Sequence, residues 1–138
     1  MVPALVGVVL ALAVALFARL VGFDRDRAFY PVVMIVIASY YALFAVMAGG
    51  PVDFVSEGIA IVLFVAAAGI GFRTSLWIVV AALAGHGVFD FLHHALVVNP
   101  GVPAWWPSWC LAYDVTAAGC LAALMLNGGV SPRATRSA

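Results

Sequence analysis

The sequence predicts an all-α integral membrane protein: one bundle of five transmembrane helices, with the N-terminus outside and the C-terminus cytoplasmic. Composition is the first sign. Of 138 residues, 67% are apolar and 9% charged, against roughly 25% charged residues in a soluble domain, and the mean hydropathy is +1.19. A short chain buries a smaller fraction of its surface than a long one, so an aqueous globule has no place for this much apolar area. The second sign is that the apolar residues fall into five runs, each close to the roughly 20 residues a helix needs to cross a bilayer. The third is the placing of the six basic residues, all of them arginine. A soluble enzyme and a disordered tail are excluded. So is nucleic-acid binding, because net charge is zero and there is no basic patch.

The first run covers about residues 3–21. It has no positive segment before it and is longer than the apolar core of a secretory signal, so it reads as a retained helix. Gly22 to Arg27, with four charges, turns the chain into a second run at about 29–48. Gly49-Gly50-Pro51 leads to the third run, about 53–71, and Gly71-Phe72-Arg73-Thr74 to the fourth, about 75–97. The Asn99-Pro100-Gly101-Val102-Pro103 segment precedes the fifth, about 105–126. Such short gaps permit helical hairpins only, and each span must be a helix because lipid offers its backbone no partners. Residues 1–130 thus form the membrane domain and 131–138 a short cytoplasmic tail.

With five crossings, loops one and three share a side with the C-terminal tail. Arg19, Arg25 and Arg27 flank loop one, Arg73 lies in loop three, and Arg133 and Arg136 lie in the tail. All six arginines therefore fall on that side, which the positive-inside rule makes cytoplasmic. Trp105, Trp106 and Trp109 then sit at the outer boundary and Trp77 at the inner one, as interfacial belts do. Arginine without lysine or glutamine points to a GC-rich bacterial genome, and hence to a multi-pass protein of the inner membrane. Gly7, Ala11 and Ala15 on the first span, and Ala118/Ala122 and Gly119/Ala123 on the fifth, have the spacing that lets helix backbones approach closely. These faces and the small size also suit a homo-oligomer. Cys110 and Cys120 lie ten residues apart on one helix, roughly 15 Å along its axis, and cannot bridge each other.

The ionisable residues are unevenly spread. Asp24 and Asp26 are expected to pair with the arginines of a solvated loop. Every other acidic residue and every histidine falls in the outer half of the membrane. Asp53 and Glu57 begin the third span, His86, Asp90, His93 and His94 occupy the fourth, and Asp114 lies in the fifth. From the helical rise, Asp114 lies roughly 3 Å outward of the midplane, Asp90 roughly 6 Å, Glu57 roughly 7–8 Å and His93 roughly 10 Å. At 100° per residue, His86, Asp90 and His93 share one stripe, and His94 lies about 80° from it. A charge buried at such depth costs at least ~2.5–3.5 kcal/mol and persists by pairing, by facing a polar cavity or by binding something. No arginine or lysine is available there, so the carboxylates and imidazoles must serve one another, water or a bound cation.

That chemistry points to a divalent metal, Zn, Mn or Fe, with His86, Asp90, His93 and Asp114 as ligands. Alternatives are a proton-titrating or hydrogen-bonded substrate pocket and a purely structural network. Glu57 and His94 are the candidate catalytic proton carriers, and Tyr40, Tyr41 and Tyr113 the candidate substrate donors. Cys110 is read as a buried small apolar group rather than a soft ligand, and Asn99 with its proline-rich loop as a lid or a plain turn. The Asp90-x2-His93-His94 string is similar to one histidine box of the membrane desaturases and hydroxylases, but the three histidines are too few for that family. The functional expectation is a hydrolase-like metal enzyme acting on a membrane lipid or other small hydrophobic substrate that enters sideways. A metal-ion or proton transport component and a non-catalytic assembly subunit are the competing readings.

Overall fold

A computed structural model describes residues 1–48 and 52–130. The Gly49–Pro51 turn and the tail arginines Arg133 and Arg136 lie outside the described residues. Among those described, the chain is helical, without strands. It forms α1 (Val2–Val21), α2 (Phe29–Met47), α3 (Phe54–Arg73), α4 (Leu76–Leu96) and α5 (Trp106–Leu126). All five helices are long and apolar enough to span a membrane.

The helix ends follow local chemistry. Proline stands in the first turn of α1 and of α5, where no amide donor is needed. Gly22 closes α1 in the left-handed region, φ 89°, with its N–H on the Ala18 carbonyl at 2.8 Å. Asp53 caps α3 by accepting the Ser56 N–H at 3.0 Å, and its other oxygen accepts the Ser56 hydroxyl. These bonds hold the exposed Asp53 carboxyl below its usual range.

Helix α5 packs between α1 and α4, α4 also packs on α3, and α3 on α2, which leans back across α4. Glycines permit the closest approaches. A Cβ on Gly7 would stand 2.3 Å from the Trp109 carbonyl oxygen, and one on Gly87 3.1 Å from the Asp114 Cβ. Gly7 thus seats α1 on α5, and Gly87 brings α5 against the polar face of α4. Ala11 and Ala18 complete the buried face of α1, while Leu5, Val9 and Leu16 point outward. Gly119 differs from expectation: it is exposed and has nothing within 4 Å of a Cβ position, so its face of α5 packs against no described helix.

Asp24 also departs from the expected solvated loop. It is 4% exposed. The left-handed turn at Gly22 followed by a 3-10 turn, Phe23–Arg25, folds it back under the bundle, where Arg19 Nη1 lies 3.5 Å from its Oδ2. Asp26 behaves as a loop residue, accepting the Ala28 N–H.

Candidate metal centre

The polar residues of α2, α3, α4 and α5 converge on one buried cluster. His86, Asp90 and His93 line the inward stripe of α4 and are 0–1% exposed, and Asp114 of α5 is 0% exposed. His86 Nδ1 lies 2.8 Å from Asp114 Oδ2 and 3.4 Å from Asp90 Oδ2. The Tyr41 hydroxyl of α2 donates to Asp90 Oδ1 at 2.5 Å. Cys110, one turn before Asp114, directs its sulfur to Asp114 Oδ2 at 3.6 Å.

His86, Asp90, Cys110 and Asp114 each offer a ligand atom within 4.8 Å of the others, a group that can hold a metal ion. The hydrogen bonding is incomplete without one. One ring N–H cannot serve two carboxylates, and Asp90 Oδ2 and Asp114 Oδ1 are buried without a hydrogen-bond partner among the described residues. An unsatisfied buried acceptor costs about 1–3 kcal/mol, and more when charged. A proton or a cation between the two carboxylates removes that cost. Among the described residues, the ion pairs of these carboxylates are with histidine alone.

A second set adjoins the first. Glu57, 2% exposed near the start of α3, is met at Oε1 by His93 Nε2 at 2.9 Å and by the Asn99 side-chain amide at 2.7 Å. Asn99 Oδ1 accepts the Gly101 N–H, which fixes the amide's orientation. The Tyr41 ring stacks on His93, centroids 4.3 Å apart, and so joins the two sets. His93 Nδ1 and Glu57 Oε2 are likewise buried without partners among the described residues.

Not every residue singled out in the sequence enters this network. His93 stands with Glu57, outside the four-residue group. His94 is exposed, as its angular offset on α4 requires. Tyr40 is exposed and packs edge-on to Trp106, and Tyr113 stacks on Trp109. Cys110 joins the group as a potential ligand rather than as a plain apolar side chain, and its i, i+4 relation to Asp114 is the sequence signal for it. Asn99 does more than close a lid or turn, because the fold places its side chain on Glu57. No family model, curated protein or solved structure matches the chain. Its chemistry is therefore read from these residues alone.

Proposed function

We propose that this is a multi-pass membrane protein holding a divalent metal at His86, Asp90, Asp114 and Cys110, and that it acts on a lipid-like or small hydrophobic substrate. One observation carries the reading: four ligand-type side chains lie within 4.8 Å of one another, all buried, and two carboxylate oxygens among them lack partners. The mixture of nitrogen, oxygen and sulfur donors favours Zn²⁺ or Fe²⁺ over Mn²⁺. Such an ion would polarise an acyl or phosphoryl oxygen or activate water. Glu57, bonded to His93, is the group suited to carry the proton, and exposed His94 is not.

The substrate class follows from the surroundings. A groove of about 610 Å³ runs between α3 and α4, lined by apolar side chains including Ile59, Leu63 and Ile78. Its inner wall is Phe64 and Phe89. The Phe64 ring meets His86 edge-on at 4.6 Å, and Phe89 meets His93 at 5.6 Å. Two aromatic rings thus separate a lipid-facing groove from the polar cluster. The positive-inside pattern supports a cytoplasmic arginine-rich end, and the arginine usage an inner bacterial membrane.

Transport fits less well. On the arginine-rich side of the cluster the core is Met34, Val79, Leu83, Ala117 and Leu121, each at most 4% exposed. This apolar layer offers an ion no ligands.

Elemental analysis of the detergent-purified protein tests the reading, with wild type compared with His86→Ala and Asp114→Asn. Near-stoichiometric zinc or iron, lost in both variants, is expected. A wild type that takes up no metal after incubation with excess Zn²⁺ or Fe²⁺ would overturn it, leaving a proton-bearing pocket.

A further inference from the structure

At the arginine-rich end of the bundle, away from the candidate metal centre, α1, the Phe23–Arg25 turn, α2 and α5 border an open pocket of about 300 Å³. Its polar lining is Arg19, Asp24, Tyr30, Cys120 and Asn127, and the rest is alanine, leucine and glycine. Asp24 is the residue that demands an explanation. Its side chain is 4% exposed, yet the only cation paired with it among the described residues is Arg19, whose own side chain is 56% exposed and 3.5 Å away. Asp24 Oδ1 is buried with no hydrogen-bond partner among the described residues. A carboxylate acceptor withdrawn from water in this way is stabilised by an N–H donor that enters with its own charge.

We propose that this pocket binds the headgroup of an aminophospholipid, with the primary ammonium on the Asp24 carboxylate and the phosphate on Arg19. The charges match: one guanidinium and one carboxylate face a zwitterion of the opposite order. The reach matches too. The carboxylate torsion of an aspartate is soft and two-fold, so either oxygen can turn to the pocket. The exposed Arg19 can swing to the phosphate, where its fork makes paired N–H bonds. The apolar remainder of the wall suits the first carbons of the acyl chains. This site depends on the membrane reading of the chain but not on the metal.

The test is native mass spectrometry of the full chain, purified free of lipid in detergent and offered phosphatidylethanolamine, phosphatidylcholine and phosphatidylglycerol in equal amounts. Phosphatidylcholine carries the same phosphate with a quaternary nitrogen that has no N–H, and phosphatidylglycerol lacks the cation. About tenfold more bound phosphatidylethanolamine than either is expected, the effect of one charge-assisted hydrogen bond. Asp24→Asn should abolish that preference, and Arg19→Gln should weaken binding of all three lipids. Equal retention of the three by the wild type overturns the proposal without recourse to any variant, and so does a preference that survives Asp24→Asn. Soluble O-phosphoethanolamine is the remaining arm: if it displaces the lipid at equal concentration, the acyl chains contribute nothing and a lipid occupant is ruled out.

Discussion

The two ends of this bundle each bury acidic side chains, and they neutralise them differently. At the arginine-rich end, Asp24 meets a guanidinium that reaches it from half-exposed Arg19. Around His86, Asp90 and Asp114 meet imidazole, a hydroxyl, a thiol and each other. A guanidinium is a permanent charge, whereas imidazole and thiol donate one proton each and can give it up. The first arrangement settles one carboxylate oxygen and leaves a pocket beside it. The second leaves one oxygen of each carboxylate without a hydrogen-bond partner among the described residues, as Asp24 Oδ1 also is, but the two carboxylates lie in one group where a single proton or cation can serve both. Two carboxylates among titratable donors form a group that can hold a metal ion, whereas one carboxylate beside a fixed guanidinium forms a single ion pair.

The comparison is tested most severely at His86. Replacing it with alanine leaves Asp90 and Asp114 facing each other without their shared imidazole. The expected cost is about 3–5 kcal/mol, seen in detergent as a large fall in melting temperature, together with complete loss of bound metal. Tyr41→Phe is milder. It removes the hydroxyl from Asp90 Oδ1 and should cost about 1–3 kcal/mol, with metal affinity reduced about 10–100-fold in a competition titration. If Tyr41→Phe leaves both values unchanged, Asp90 is satisfied by something other than tyrosine. At the opposite end, Asp24→Asn should cost no more than about 1 kcal/mol, because Arg19 can turn to water. A loss as large as that of His86→Ala would show that the two ends are equally dry.

The smallest effect concerns Asp53. Its hydrogen bonds to Ser56 lower its pKa in the folded state, so its contribution is fully present above the unfolded value of about 4. The contribution is lost as pH falls through the lowered folded value. The melting-temperature gap between wild type and Asp53→Ala should therefore be constant near neutrality and close below about pH 4. Titration at such an exposed cap should leave the buried clusters, and metal content near neutral pH, unaffected.

Much of this architecture was legible in the sequence. The five apolar runs became helices with bounds shifted by one or two residues, because turn residues and the length of a span leave little choice. The stripe of His86, Asp90 and His93, and the offset of His94, followed from helical angle alone. What periodicity cannot supply is the partner across a helix interface. Asn99 reaches Glu57 from 42 residues away, and Cys110 earns its place only because Gly87 lets α5 approach α4. Asp24 misled for a related reason. Four charges in a row signal a solvated loop, and nothing local reveals that the turn packs one of them against α1 and α2.

The loop after α4 has one more consequence. Val98 accepts the Asp53 N–H at 2.9 Å, and Gly101 lies so close to the Phe44 carbonyl that a Cβ there would come within 2.0 Å of its oxygen. The segment is therefore stitched to the ends of α2 and α3 and closes that end of the cluster. An ion seated beneath it would enter and leave only as this segment lifts or the helices part. Uptake by metal-free protein would then be slow but complete under long incubation with excess ion, and a bound ion would exchange on the timescale of that opening.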